Sequence, residues 1–477
     1  MSEALALVVL VPLIGGGVAC LLSGRWQLAW GGLAAAATCA SMVLLATLGS
    51  GPEVAHQAVG GWLAPLGIVL QADGLSLLML ALTAVVGGAV SIYAGVYFAT
   101  AKEGHATVGL FWPLWLLLWG ALNALFVSAD IFNLYLLLEF SLVAAVALAA
   151  LGGSRAAHVS ALRYLLAATT AGLLYLMGVA LLYADTGTLD LRELAAIAPR
   201  GFRPTLALSL MLTALCLKCA LFPLHFWLPP AHSTAPAPVS AVLSALVVKA
   251  AFYIILRLWF EALPDVAPTG AALVLATFGA VAIVWGSWQA IRQHRLKLLV
   301  AYSTVAQVGY LFLLLPLGAL AAADVRTAAT YHMLSHGLAK AGMFLGAGAV
   351  LKAAHSDHLD HTRGLARRAP LAVAAIIVSG GALGGLLPGG GAKGKFLHVL
   401  LEHGQGGWAV VVGAGMLLAL VYTWVAVRRT FGPSDTNEPV GWMPHALGAV
   451  ALVTALASVG LSFISDRVLS VLAGGAR

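Results

Sequence analysis

Three proton-binding side chains recur at intervals of four residues in the apolar stretch TYHMLSHGLAKAGMFL, residues 330–345. They are His332, His336 and Lys340. On a helix, residues four apart lie on the same face, so these side chains are expected to form a row. Histidine exchanges protons near neutral pH, and a lysine deprived of water can do the same. The spacing therefore predicts a path for protons, with a structural hydrogen-bond network between helices as the alternative.

The composition predicts that this row lies inside a membrane protein. Of the 477 residues, 61% are hydrophobic and 9% are charged, whereas a soluble domain has about 25% charged residues. Many apolar runs reach the ~20 residues that a helix needs to cross a bilayer. We count about fourteen such runs, which predicts an all-α polytopic membrane protein. The first run, residues 4–22, follows no basic segment, so we interpret it as a retained helix rather than a signal peptide.

The positive charges are divided unequally between alternate loops. The richer set includes Arg155, Arg295 and Arg367, and the poorer set includes Arg200 and Arg326. Loops rich in Lys and Arg usually face the cytoplasm. The pattern predicts a multi-pass protein of the bacterial inner (cell) membrane with both termini outside. This topology accounts for the net charge of +7, so we predict no nucleic-acid partner.

Several charged residues fall inside the predicted spans rather than in the loops. These residues are Glu139, Lys218, Lys249, Lys340, Lys393 and Lys395. A charge at the middle of a bilayer costs a few kcal/mol even on the gentler scales, so such a residue faces protein or water and usually pairs. Together with the two histidines, this set is where we expect the function to lie.

Two predicted helices are interrupted close to lysines. In LKCALFPLHFW, Pro223 lies shortly after Lys218, and in LLPGGGAKGKF, Pro388 and three glycines precede Lys393 and Lys395. Proline breaks a helix, and the backbone groups that it frees must be satisfied by neighbours or water, because lipid has no hydrogen-bonding groups. Interrupted helices at matching places in two halves are a mark of ion paths in transporters. The alternative is a pair of ordinary kinks.

Five stretches taken together resemble one protein family. They are ADIFNLYLLLEF (129–140), KCALFPLHFWLPPAHSTAPAPVSAVLSALVVKA (218–250), RLKLLVAYSTVAQVGYL (295–311), YHMLSHGLAKAGMF (331–344) and GKFL (394–397). They are similar to the antiporter-like membrane subunits of respiratory complex I, Mrp-type sodium/proton antiporters and membrane-bound hydrogenases. Within that family the chain looks closest to the D-type Mrp subunit or the two shorter complex I pump subunits.

The resemblance implies a fold of fourteen core helices with two inverted five-helix repeats and broken helices seven and twelve. Helices one to three would occupy residues 1–107 and the first repeat residues 108–260. The second repeat would occupy residues 271–430, and the last helix residues 431–477.

Carried across by motif, the resemblance implies a proton path whose residues come from five helices: Glu139, Lys218, Lys249, His332, His336, Lys340 and Lys395. In this path Glu139 and Lys218 would form a controlling ion pair, and Lys395 would lead outward. Lys393 is a second lysine at the same break, and which of the two leads outward stays open.

Weaker candidates for the path are polar residues near the breaks or on neighbouring helices: His225, Asp130, Ser303, Thr304 and Gln307. For Asp130 a helix cap is the preferred interpretation and an outer ion ligand the alternative, whereas His225 is equally explained as a partner of freed carbonyl groups. Ser303, Thr304 and Gln307 lie on one helical stripe, where they are expected to hold water beside the row.

Two other patterns have a metal-site spacing and a simpler explanation. Cys216 and Cys219 form a C-x-x-C pair, but they lie in an apolar span without a second ligand pair, so we interpret them as small buried side chains. A loop contains His355, His358, His361, Asp357 and Asp360. A solvated loop is the preferred interpretation of this cluster, and metal binding the alternative.

We predict a proton-translocating subunit of a multisubunit cation/proton antiporter. The alternatives are a pump subunit of a complex I-like NADH:quinone oxidoreductase or membrane-bound hydrogenase, and the proton-driven module of an inorganic-carbon uptake system. The sequence contains no haem-ligand arrangement or dinucleotide fingerprint, so we predict no cofactor and no catalytic site of its own. The expected partners are other hydrophobic antiporter or complex I-like membrane subunits, the lipid bilayer and protons, with Na⁺ or K⁺ as further candidates.

Overall fold

The computed structural model is almost wholly helical over the residues that it describes, which are 2–48, 55–62, 67–99, 105–266, 269–386, 391–433 and 444–474. Twelve helices in these ranges are long and apolar enough to cross a membrane. Two further apolar segments are shorter, because they are the predicted broken helices seven and twelve. The prediction of an all-α polytopic fold is confirmed. The division into inverted repeats stays a prediction.

The fourteen segments are numbered in chain order. They are α1 Ser2–Leu21, α2 Gly24–Leu48, α3 Gly74–Ala99, α4 His105–Phe126, α5 Ile131–Ala150, α6 Arg155–Thr186, α7 Phe202–Lys218, α8 Ala237–Ala262, α9 Thr269–Ile291, α10 Leu296–Leu313, α11 Gly318–Ala354, α12 Pro370–Leu383, α13 Gly406–Val427 and α14 His445–Gly460. Short helices at Leu191–Ile197, Leu228–Thr234, Leu365–Arg368, Gly391–Glu402 and Ser465–Gly474 lie between or after them.

Three helices form the centre of the bundle. In their most apolar windows, 94% of the residues of α8 and of α11 and 89% of those of α10 are buried within the protein. The same share is 39% for α1, α2, α9 and α13, whose remaining residues face outward. A helix that is enclosed on all sides can hold polar side chains without exposing them to lipid. The central helices are therefore the ones on which charged residues are least costly.

Polar caps and glycines mark where the peripheral helices begin and end. The Asp130 carboxylate accepts a hydrogen bond from the Asn133 backbone N–H at 2.7 Å, and Ser154 accepts one from Ala157 at 3.1 Å. Each bond satisfies a donor that has no partner within the first helical turn. α6 ends where Gly187 adopts a left-handed conformation, which glycine does at little cost.

Both predicted breaks bring irregular backbone to the level of a lysine. α7 ends at Lys218, and helical structure resumes only at Leu228–Thr234. The Trp227 indole N–H donates to the carbonyl oxygen of Leu217 at 2.9 Å, which satisfies one of the freed acceptors. α12 ends at Leu383, and the next helix among the described residues is Gly391–Glu402. The predicted break residues Pro388 and Gly389–Gly390 lie outside the described residues.

A β-hairpin in the described chain was not predicted from the sequence. Strand β1, Ala55–Ala58, pairs antiparallel with β2, Val69–Ala72. The Ala129 N–H donates to the Val69 carbonyl at 3.1 Å, so this hairpin is fastened to the α4–α5 junction. The strands contain no hydropathy pattern distinct from a loop, which explains why they were missed.

A buried ion cluster joins the start of α3 to α8 and α11. The Arg257 guanidinium lies 2.6 Å from the Asp73 carboxylate and 2.7 Å from that of Glu261. Arg326 extends the cluster and contacts Glu261 at 2.9 Å. Burial alone would raise the pKa of Asp73, but the charge of Arg257 and hydrogen bonds from Arg257 and Ser76 hold that pKa well below its usual range. Asp73 therefore stays ionised and paired at neutral pH.

We expect Asp73→Asn to lower the free energy of unfolding by about 3 kcal/mol, because it leaves part of the buried Arg257 charge unpaired. The depressed pKa means that this contribution is present above the unfolded pKa of about 3.9 and is lost only as pH falls below it. Thermal unfolding in mild detergent at pH 7 measures the difference. The matched control is Asp265→Asn, which removes an exposed ion pair with Arg200. This substitution should change the free energy of unfolding little, because exposed ion pairs contribute little to stability. Equal effects of the two substitutions would contradict a stabilising role for the cluster.

Candidate functional site

An ion pair lies at one end of the predicted proton row. The Lys218 Nζ atom, at the end of α7, donates to Oε1 of Glu139 on α5 over 2.9 Å. Lys218 is buried, and the Glu139 side chain is 25% exposed. The structure thus brings together the two residues that the resemblance assigns to the controlling pair. A carboxylate beside the ammonium group compensates for the loss of water around it.

A small cavity separates this pair from the central helix α8. Its volume is about 20 Å³, and its lining includes Lys218, Ser141 and Tyr164 together with Val247 and Ala251 of α8. About 10–15 Å³ suffices for one water molecule when polar partners are present. The ammonium and the two hydroxyl groups are such partners. The cavity therefore suits a single water between Lys218 and α8.

Lys249 lies on the central helix, and an irregular turn provides its partner. Residues Leu243–Val247 form a π-helical turn within α8. The Lys249 Nζ donates to the Ser244 carbonyl oxygen, and the Ser244 hydroxyl lies 3.0 Å from Oγ1 of Thr304 on α10. π-helical turns are frequent at functional sites because they release backbone acceptors from the regular pattern. The sequence of this turn, LSALV, contains neither proline nor glycine and therefore gives no local signal for it.

The next lysine, Lys340, is fully buried between α11 and α10. Its Nζ donates to the carbonyl oxygen of Val300 at 3.1 Å and to the Ser303 hydroxyl. Ser303 and Thr304 are thus neighbours on α10 that contact the α11 and α8 parts of the row. The stripe on α10 that the sequence singled out does line the row.

His332 and His336 continue along α11 as a stacked pair. Their rings lie 5.5 Å apart with an angle of 7° between their planes. His332 Nε2 lies 3.2 Å from the Gln307 carbonyl oxygen, which accepts only if Nε2 carries a proton. Neither ring nitrogen of His336 has a hydrogen-bond partner in the described part of the chain, although the side chain is buried. Buried polar atoms of this kind are normally satisfied by water.

Lys393, rather than Lys395, meets the buried row at its far end. Its Nζ donates to Gln307 Oε1 at 3.0 Å and lies 2.9 Å from the ring centre of Tyr310. Gln307 therefore contacts His332 through its backbone and Lys393 through its side chain. Lys393 is 1% exposed.

Lys395 lies instead beside an open cavity of about 520 Å³. The cavity is lined by Lys395, Asp324 and His398, among others, and the Lys395 Nζ lies 5.3 Å from the ring centre of Tyr331. The motif assigned Lys395 to the row, but two residues along a helix turn a side chain to the other side. The structure therefore separates the two lysines into a buried one and one that lines a cavity.

The remaining candidates have mixed positions. Asp130 caps α5, as described above, and makes no contact with the row in the described part of the chain. His225 is half-buried at the α7 break, and its ring stacks on that of Phe222 at 5.5 Å. Sequence reasoning missed His232, a buried histidine on the short helix Leu228–Thr234 whose ring stacks on that of Phe344 of α11 at 4.8 Å. His232 lies in the stretch KCALFPLHFWLPPAHST, shortly after the broken helix. This position near a break is the sequence feature that could have marked it as a candidate.

The two metal-like patterns form no metal site in the described residues. No group of three or more His, Cys, Asp or Glu side chains there is placed to hold a metal ion. In the loop after α11, Asp357 pairs with Arg295, Asp360 pairs with Arg429 at 2.9 Å, and His361 Nδ1 contacts Ser356 at 2.7 Å.

Comparison with known proteins identifies the family. A family profile described as "NADH:quinone oxidoreductase/Mrp antiporter, TM" matches residues 128–421. The chain belongs to this family. The matched range contains every residue of the row, from Glu139 on α5 to Lys393 and Lys395 at the second break.

The similar proteins include subunits of NADH-quinone oxidoreductases and of Na⁺/H⁺ antiporters. The chain is 38% identical to the N subunit of the NADH-quinone oxidoreductase of Desulforudis audaxviator, over 78% of this chain and 74% of the relative. It is 28% identical to the D-type subunit of the Na⁺/H⁺ antiporter of Alkalihalophilus pseudofirmus, over 80% and 77%. Among solved structures, a component of the Mrp complex from Dietzia sp. has a TM-score of 0.89 at 24% identity, covering 100% of this chain and 97% of that one. The last match supports the fold of this family member.

The different surroundings of the two lysines after the second break predict different chemical access. In a protein whose four cysteines are replaced by alanine, Lys395→Cys should react quickly with a water-soluble maleimide in detergent, whereas Lys393→Cys should not. Mass spectrometry of the labelled protein measures both rates. Arg200→Cys, at an exposed position, is the control for full labelling. Equal labelling of Lys393→Cys and Lys395→Cys in the folded protein would contradict the assignment of Lys393 to the buried row.

Proposed function

We propose that this protein is the proton-translocating membrane subunit of a multisubunit cation/proton antiporter. Protons would move along a buried row that begins at the Glu139–Lys218 pair and ends at Lys393. The observation that supports the proposal is the set of contacts by which α10 joins Lys340, His332 and Lys393 and, through Thr304 and Ser244, the helix that contains Lys249. Each charged member has a hydrogen-bond partner, and each gap is bordered by hydroxyl groups, histidines or a water-sized cavity.

The ion pair is the element that would control proton movement. At 2.9 Å, two opposite charges in an effective dielectric near 20 attract each other by about 6 kcal/mol. A conformational or electrostatic signal that separates them removes this stabilisation of the Lys218 charge. Lys218 then releases its proton through water in the adjacent cavity toward α8 and Lys249.

From Lys249 the proton would cross to α11 and continue along it. Thr304 and Ser303 border the crossing from Lys249 to Lys340, and His336 and His332 continue the row toward Gln307. Gln307 contacts Lys393, the last buried lysine. From Lys393 the proton would reach the cavity lined by Lys395, Asp324 and His398. Neighbouring lysines repel one another when both are charged, so charging one favours release from the next.

A second candidate function is that of a pump subunit in a complex I-like NADH:quinone oxidoreductase. The 38% identity to an N subunit of such an enzyme favours it. The same row would operate, and the energy would come from redox chemistry in partner subunits. In either case we propose other hydrophobic antiporter or complex I-like subunits as partners, with Na⁺ or K⁺ as further cargo of the assembly.

We also propose the topology and division that the sequence predicts. Both termini would lie outside the bacterial inner (cell) membrane, which follows from the arginine-rich alternate loops. The repeats would occupy residues 108–260 and 271–430. Residues 1–107 and 431–477 would flank them.

Replacing Glu139 with alanine should lower proton translocation by at least about tenfold and alter its pH dependence, because Lys218 loses its partner. The measurement is proton uptake by proteoliposomes that contain the purified complex, across a range of pH. Asp265→Ala, which removes a carboxylate from an exposed ion pair, is the control. It should leave the rate of proton translocation and its pH dependence unchanged. An unaltered rate and pH profile for Glu139→Ala would show that the proposed mechanism is wrong.

The two candidate functions differ in their partner subunits. We expect purification of the native complex in mild detergent, followed by mass spectrometry, to return several small hydrophobic subunits. Iron–sulfur, flavin or nickel subunits in the same complex would instead favour the redox-driven pump.

A further inference from the structure

A glycine on α6 faces the carboxylate of the controlling pair. If Gly172 carried a Cβ atom, that atom would lie 2.3 Å from Oε1 of Glu139, 2.7 Å from its Cδ and 3.1 Å from Oε2. Oε1 is the same oxygen that accepts the hydrogen bond from Lys218. The absence of a side chain at position 172 therefore creates the space that this oxygen occupies.

A second glycine on the same helix has a different kind of neighbour. A Cβ at Gly178 would lie 2.5 Å from Cγ of Met211 and 2.6 Å from the backbone oxygen of Ala207, both on α7. Gly178 thus allows two helix backbones to approach. At Gly172 the three nearest atoms all belong to the end of one side chain, which can rotate away. A methyl group there would displace the carboxylate before it displaces a helix.

We infer that Gly172 is a positioning residue that sets the separation of Glu139 and Lys218. This inference rests on the proposed function, because it gives the glycine a role only if the pair controls proton movement. The gap at Gly172 lets the carboxylate approach α6 while Oε1 stays within 2.9 Å of the ammonium. Filling the gap forces Oε1 to move away from its present position between α6 and α7.

Few other titratable groups face this carboxylate in the described residues. Tyr164 on α6 and Tyr135 on α5 interact electrostatically with Glu139, and Lys218 on α7 pairs with it. On α8, Val247 and Ala251 line the cavity beside Lys218. Lys249 is the titratable residue between these two positions. The Tyr164 ring is stacked on Trp227 at 4.3 Å, which holds it in place. Among the described residues, the ion pair with Lys218 is the one that Glu139 makes, so a carboxylate displaced from Lys218 loses its present cation partner.

Gly172→Ala tests this inference in the purified complex. We expect a normal amount of folded protein, proton translocation reduced about tenfold, and a pH profile displaced in the same direction as that of Glu139→Gln. Shortening the acid should relieve the clash, so Gly172→Ala combined with Glu139→Asp should transport several-fold faster than Gly172→Ala alone. Glu139→Asp by itself provides the reference for the shorter acid.

Gly178→Ala is the matched control for a glycine that serves helix packing. It should lower the amount of folded protein and leave the pH profile of the remaining complex unchanged. A wild-type pH profile in Gly172→Ala, or a double variant no faster than Gly172→Ala, would overturn the inference. If the Gly172→Ala protein does not accumulate, we expect the double variant Gly172→Ala/Glu139→Asp to accumulate. A double variant that also fails to accumulate would overturn the inference. A wild-type profile in Glu139→Gln would instead refute the proposed function.

Discussion

The cost of placing a charge in apolar surroundings is the constraint on which the rest of this structure depends. An ammonium group inside a membrane must be enclosed by protein and must find an acceptor. The bundle meets both demands by surrounding α8, α10 and α11 with the other helices. Acceptors for the lysines come both from irregular backbone and from a regular helix. The π-helical turn before Lys249 supplies one such carbonyl, and the Lys340 ammonium shares that of Val300.

The two ends of the row differ in a way that suits directional movement of a positive charge. Glu139 is the carboxylate at one end, where it is partly exposed and paired with Lys218. At the other end Lys393 has a neutral amide and an aromatic ring as neighbours. An ionised carboxylate stabilises a charge strongly, whereas an amide dipole or a ring face does so more weakly. In the proposed function, a proton is thus held at the ion pair until that pair opens, and it is held less tightly where it leaves.

In the proposed function, the helix breaks contribute to the chemistry as well as to the fold. At each break, backbone groups lose their helical partners at the level of a lysine, and in lipid alone such groups would be unsatisfied. Neighbouring protein groups satisfy these backbone groups instead. One example is the hydrogen bond from the Trp227 indole to the Leu217 carbonyl. The buried cluster around Arg257 performs a different task, because it links the start of α3 to α8 and α11 with fully paired charges. In the proposed function, the ion pairs around Arg257 stay fixed and stabilise the fold, whereas the ion pair at Lys218 separates when protons move.

The sequence by itself determined the helix count, the two breaks and most members of the row. Hydropathy, proline and the spacing of His332, His336 and Lys340 are local properties, and in lipid they have few structural solutions. Tertiary structure decided which groups meet. Lys393 and Lys395 are two residues apart, and only the packing of α10 and α11 around them separates the buried lysine from the one beside the cavity. The hairpin of β1 and β2, the π-helical turn, the buried His232 and the gap at Gly172 depend on neighbours far along the chain. A single sequence contains no signal for such contacts, because each is set by the shape of an opposing surface.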